Sequence, residues 1–217
     1  MSQPDSAIPY PRRAKRKRET RERILIAAVH LFRAKGYSET MLADIAADAD
    51  IHIATLFTHF KSKKDISAAL ADAAIAQLEE VVREARAQRI PFFEFVRALV
   101  REWASAEQSV PMRNLSYGYA LRTDPEIAFS WLQYQNRELA LYAEYIADEY
   151  GLDAATDNAP HLVAAMISRG NVMVLDHWLD AKGRTDLKRD ALAAIATAEE
   201  LVRDALERMR VQSAPRG

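Results

Sequence analysis

The chain has 217 residues, nearly half of them hydrophobic, and no cysteine, so a sizeable core is available while a disulfide framework and a Cys-ligated zinc are excluded. The net charge of −1 conceals a division: residues 1–65 carry 13 Lys/Arg against 8 Asp/Glu, the remainder 17 against 23. No stretch reaches the roughly 18 uninterrupted apolar residues of a membrane span, and the first residues hold no apolar leader core, which predicts a cytoplasmic protein with no membrane partner.

In chain order, a basic run comes first. Arg12, Arg13, Lys15, Arg16, Lys17, Arg18, Arg21 and Arg23 fall within twelve positions. Such a run suits a polyanion-binding arm or a solvated tail, and residues 1–19 are expected to be a disordered basic arm. From Thr20 onward the apolar residues follow a helical period, with no two-residue alternation. The first helix is expected over Thr20–Lys35, with Thr20 as N-cap, Gly36 as C-cap and an apolar stripe of Ile24, Leu25, Ala28, Val29, Leu31 and Phe32. Two short helices follow, Met41–Asp48 with Thr40 as N-cap, and His52–Phe60. Ser62 and Asp65 form a capping-box pattern for a helix from Lys63 to about Gln88, and Pro91 breaks that run. Further helices are predicted over Phe92–Gln108, Met112–Arg122, Pro125–Tyr150, Ala159–Ala181 and Leu187–Val211. The predicted fold class is all-α, with about nine helices.

The informative stretch is Thr40–Phe60. Leu42, Ile45 and Ala46 share one face of the second helix, and the small Ala46 lets another helix cross closely. The turn is Ala49-Asp50-Ile51, and aspartate tolerates the left-handed backbone a tight turn needs there. Leu56 and Phe60 face inward from the third helix; His52, Ile53, Thr55, Thr58 and His59 lie on its other side. Two short helices, a tight turn and a polar outer face are the arrangement in which the second helix enters a DNA major groove.

The segment RERILIAAVHLFRAKGYSETMLADIAADADIHIATLFTHFKSKKDI resembles the DNA-binding domain of TetR-family regulators. The matching positions are Ile24, Ala28, Phe32, Gly36, Tyr37, Thr40, Ile45, Ala46, Thr55, Leu56, His59, Phe60, Lys63 and Ile66. The nine-helix layout is also similar to that family, and the second half resembles regulators related to the mycofactocin regulator. Three positions depart from the family pattern: Asp50 replaces the turn glycine, His52 the serine that opens the recognition helix, and Phe57 a tyrosine whose hydroxyl bonds a phosphate. The resemblance implies an N-terminal helix-turn-helix domain over 20–65 and a helical effector-binding and dimerisation domain over 66–217. It also implies a homodimer through the last two helices, a double-stranded DNA operator and a small-molecule effector.

His52, Ile53 and Ala54 open the recognition helix and are candidates for base contacts, Ile53 for a thymine methyl. Packing of Ile53 under the second helix is the alternative. Thr40, Thr55, Thr58, His59, Lys61 and Lys63, with Arg16 and Arg18 of the arm, are candidates for phosphate contacts. Solvated charge for Lys61 and a packing role for His59 stay open.

In the body, Trp103, Tyr117, Trp131 and Tyr134 suit an apolar pocket, although aromatics at helical spacing also build plain core. Met166, Arg169 and Asn171 complete the candidate ligand site. Leu162, Met166, Ile167, Gly170 and Val174 form a stripe on one of the last two helices, and Leu192, Ile195, Leu201, Val202, Ala205, Leu206 and Met209 on the other. These stripes are expected to form the dimer interface or intramolecular core.

No GxSxG, Gly-rich phosphate loop or HExxH occurs, so no catalytic residue, metal or cofactor is expected. The function expected is a sequence-specific regulator, a repressor released from a palindromic operator by a small apolar or amphipathic ligand. The alternatives are a helical small-molecule carrier or an enzyme without DNA function.

Overall fold

Proline is accepted at a first helical position, and Pro11 opens α1 (Pro11–Lys35) there. The computed structural model describes residues 11–109 and 124–213, so the predicted helix Met112–Arg122 and the candidate Tyr117 lie outside the described residues. α1 begins nine residues before the expected start at Thr20. No breaker separates Pro11 from Gly36, and Lys15–Glu19 and Arg18–Glu22 are spaced i,i+4 at 3.8 Å. Residues 11–19 therefore continue the helix instead of forming a separate arm, and Thr20 is an internal residue, not a cap.

Gly36 ends α1 with φ 95°, its N–H donating to the Phe32 carbonyl at 3.0 Å. α2 (Leu42–Asp48) follows, with Met41 and not Thr40 as its N-cap. The Asp44 carboxylate accepts the Met41 N–H at 3.1 Å. That bond, reinforced by Lys35 at 3.2 Å, holds the Asp44 carboxyl below the usual range. Asp50 turns the chain at φ 52°, as expected, into α3 (Ile53–His59). α4 (Lys63–Ala87) starts with the anticipated box: Ser62 Oγ accepts the Asp65 N–H at 3.1 Å, and Asp65 accepts the Lys61 N–H at 3.0 Å. The remaining helices are α5 (Phe92–Ser109), α6 (Pro125–Tyr150), α7 (Asn158–Asp180) and α8 (Leu187–Ser213). Among the described residues there are eight helices and no strand.

The chain forms two compact units. The first, the head, runs to Leu70 and regains the chain up to Ile127; the second, the body, starts at Ala71 and resumes at Ala128. The head core gathers Ile24, Ala28, Phe32, Ile45, Ala46, Leu56, Phe60 and Ile66, and Ile127 is fully buried in it. In the body α8 packs against α5 and α7. Val96, Val100, Ile167, Val174, Trp178 and Ile195 are among its buried residues. An aromatic group of Phe92, Phe93, Phe95, Tyr142 and Tyr145 meets mainly edge to face, at centroid distances of 5.3–6.5 Å.

Candidate nucleic-acid interface and effector site

Helix α3 is pinned from one side. Leu56 and Phe60 sink into the head core, and Ile51 plugs the turn behind them. The opposite side is open: His52, Ile53, Ala54, Phe57 and Thr58 are exposed, Ile53 at 40% and Phe57 at 52%. Ile53 and Phe57 stand one turn apart, so the outer face of α3 carries a partly exposed apolar stripe.

The phosphate candidates divide. Lys61 is exposed, and the exposed Thr58 hydroxyl donates to the Thr55 carbonyl at 2.7 Å, a bond it must exchange to donate to a phosphate. Thr40 is directed elsewhere: at 1% exposure its hydroxyl donates to Gly36 O at 2.7 Å, with Leu31 O at 3.3 Å. It ties the end of α1 to the start of α2, so its side chain does not reach the surface. Lys63 is also turned inward. Its Nζ donates to the Tyr37 and Ser38 carbonyls at 2.8 and 3.1 Å and sits 4.6 Å from the Tyr37 ring centroid. A lysine at a helix start reads as a phosphate ligand from sequence, yet here it binds the main-chain carbonyls just beyond Gly36.

Arg16 and Arg18 are exposed on α1. Residues two apart on a helix point to different sides, so the pair does not form one track. Lys17 and Arg21, which do share a face, lie at the end of α3. Arg21 stacks 4.3 Å from the Phe60 ring centroid, and both cations act on His59. Desolvation, with Lys17 and Arg21 adding to it, holds His59 below the ordinary imidazole range. Reading the basic run as an unstructured arm hides this pair; i,i+4 spacing on a continuous helix is the signal that finds it.

In the body, Trp131 and Tyr134 stack at 5.4 Å with an 8° interplanar angle. One face of α6 continues from them through Gln135 and Glu138 to Tyr142. Gln135 and Tyr142 are buried, and Glu138 is the acid of this face. Ser168, buried on α7, and Tyr142 donate hydrogen bonds to the Glu138 carboxyl. Burial nonetheless pushes that carboxyl above the usual range, and burial pushes the Tyr134 and Tyr142 hydroxyls up as well. Arg169 is exposed and reaches Gln135 Oε1 at 3.5 Å. Asn171 is half-buried, and its Oδ1 has no hydrogen-bond partner. Trp103 is half-buried on α5.

Met166 lies elsewhere: at 40% exposure it shares an outward face of α7 with Leu162 and Met173. The two predicted stripes are likewise split. Ile167, Val174, Ile195 and Leu206 are core, whereas Leu162, Met166, Leu201 and Met209 are exposed.

Two short helices joined by a tight turn, the second anchored from behind and open in front, make a helix-turn-helix of the kind that enters a DNA major groove. Residues 24–70 match the model of the bacterial regulatory proteins of the tetR family. The regulator TcmR of Streptomyces glaucescens is 26% identical over 202 residues, covering 89% of this chain and 85% of that protein. The putative mycofactocin biosynthesis regulator MftR of Mycobacterium tuberculosis is 28% identical over 175 residues, 79% of this chain and 86% of that one. The fold is also that of SmeT, repressor of a Stenotrophomonas maltophilia multidrug efflux pump. The TM-score is 0.64 at 23% identity, over 84% of this chain and 91% of SmeT. Thermus thermophilus FadR, solved with lauroyl-CoA, gives 0.59 at 24%, over 83% and 93%. Residues 24–70 are thus a tetR-family DNA-binding domain, and the chain as a whole is similar to TetR-family transcriptional regulators.

Proposed function

We propose that the protein is a homodimeric repressor that leaves a palindromic operator when a small amphipathic molecule binds its body. The observation that carries this reading is the open face of α3, where His52, Ile53 and Ala54 are exposed while Leu56 and Phe60 hold the helix from behind. Those three residues read base edges, with Ile53 on a thymine methyl. Thr55, Thr58, His59, Lys61, Arg16 and Arg18 set the register on phosphates, joined by Lys17 and Arg21. The domain bounds follow the same reading: residues 20–65, with the basic start of α1, bind DNA, and 66–217 serve the effector and the dimer.

Dimerisation runs through α7 and α8. Leu162, Met173, Leu201 and Val211 are each at least half exposed, and apolar surface of this kind marks contact with another chain. Effector binding is placed at Trp131, Tyr134, Arg169 and Asn171, with Trp103. SmeT has been solved with triclosan and FadR with lauroyl-CoA, which supports a ligand-responsive body. A ligand that prefers one arrangement of the dimer lowers DNA affinity by its differential binding to the two arrangements. Residence in the cytoplasm, where the operator is, completes the reading.

Genomic pull-down of bound DNA tests it. A palindromic consensus whose binding falls on Ile53→Ala supports the proposal; recovery of no enriched sequence overturns it.

A further inference from the structure

We infer that the body's effector site takes an organic cation: an amphipathic molecule whose ammonium group is received by Glu138, with its apolar part against Trp131 and Tyr134. This rests on the reading of the body as the effector domain and adds the ligand's chemical class.

The argument starts from what surrounds Glu138. Its carboxyl is buried between α6 and α7 and accepts from the neutral hydroxyls of Ser168 and Tyr142. Among the described residues no Lys or Arg forms an ion pair with it. The guanidinium of Arg169 acts on it from a distance and is turned toward Gln135 Oε1 and solvent. A buried carboxyl hydrogen-bonded by neutral donors alone is costly in its charged form, and burial raises its proton affinity accordingly. A cation brought into the site removes that cost.

The other polar atoms point the same way. Asn171 lies three residues beyond Ser168, on the same side of α7, and its side-chain carbonyl oxygen lacks a donor. Gln135, buried one turn before Glu138, turns its carbonyl oxygen to Arg169 at 3.5 Å, too long for a strong bond. The site thus offers acceptors: a carboxyl and two amide oxygens. An anionic head would meet the carboxyl and the unbonded Asn171 oxygen unfavourably and could turn only to Arg169, which is exposed and already directed at Gln135 Oε1; a neutral head would leave the carboxyl uncompensated. The stacked rings of Tyr134 and Trp131, about one and two turns before Glu138, offer the flat apolar surface against which the ligand's chain lies.

The test uses full-length protein and three probes that share a dodecyl chain and differ in the head: dodecylammonium, dodecanol and dodecanoate, each below its micelle-forming concentration. Titration calorimetry measures binding, and release of operator DNA is followed in parallel. Dodecylammonium is expected to bind about tenfold tighter than either other probe, the difference a charge-assisted hydrogen bond supplies. E138Q is expected to erase that preference. Equal binding of all three heads, preference for dodecanoate, no binding of any, or a preference that survives E138Q overturns the inference. The wild-type comparison needs no variant, so it decides the matter even where E138Q does not fold. The two readings fail separately. Release of DNA by dodecanoate or dodecanol with no cation preference sinks the ligand class and keeps the ligand response. Cation preference erased by E138Q without any release of DNA keeps the ligand class and sinks the response.

Discussion

The head and the body treat their buried polar groups in opposite ways. In the head, the buried Thr40 hydroxyl and the inward Lys63 ammonium are spent on main-chain carbonyls at and just beyond the end of α1. Ser67 Oγ is the head's orphan among the described residues, and it is a neutral hydroxyl. In the body, among the described residues, the half-buried Glu138 carboxyl has no ion-paired cation and the Asn171 amide oxygen no donor. A polar group bonded to backbone fixes a shape, whereas one with unused capacity is reserved for a molecule that arrives later. The difference separates a part built to be presented from a part built to respond.

The comparison breaks first at α3. Leu56→Ala removes a fully buried side chain from the head core and is expected to cost about 2–5 kcal/mol, read as a fall in denaturation midpoint. A loss near zero would mean that α3 is not anchored from behind. Next is Lys63→Met, expected to cost about 1.5–3 kcal/mol because charged hydrogen bonds to two carbonyls go with it, while Lys61→Met changes stability little. Equal stability of the two variants would return Lys63 to the surface, where its place at a helix start suggests it should be.

Ile53→Ala is smaller and of a different kind. Folding stability should hold, and operator affinity should fall by about 1 kcal/mol, the worth of roughly one buried methylene or slightly more. The loss should vanish on operators carrying uracil for thymine at the contacted position. A variant that is less stable but binds normally would make Ile53 a packing residue.

The subtlest test concerns sign. His59 sits below its ordinary range, so its contribution to stability is present above the unfolded value of 6.5 and is lost as pH falls through the folded value. Glu138 sits above its ordinary range, so its contribution is present below the unfolded value of 4.5 and is lost as pH rises through the folded value. His59→Asn should therefore flatten the acid side of the pH–stability curve and Glu138→Gln the side above 4.5. Two variants that flatten the same limb would erase the contrast between the units.

What is legible in the sequence is local. Caps, turns and helix edges depend on neighbours a few residues away, so Asp50 at φ 52° and the Ser62–Asp65 box can be read from the residue order alone. Side-chain direction cannot. Thr40 and Lys63 carry groups a phosphate would accept, and only the fold around Gly36 sends both inward. Glu138 is hard to single out because an acid beside Arg137 reads as solvated surface. The face it shares with Trp131, Tyr134 and Tyr142 is the available signal, since an acid amid aromatics at helical spacing belongs to neither a plain core nor a plain surface. The basic run misleads for a simpler reason: eight cations in twelve positions suggest repulsion, and the two glutamates spaced to relieve it are easily passed over.

The side chains of His52, Ile53, Ala54 and Phe57 lie outside the buried core of the head. Substitutions there are free to accumulate without endangering the fold. A duplicated copy of such a gene could drift to a new DNA address through those four positions alone, and its stability would give selection no reason to object.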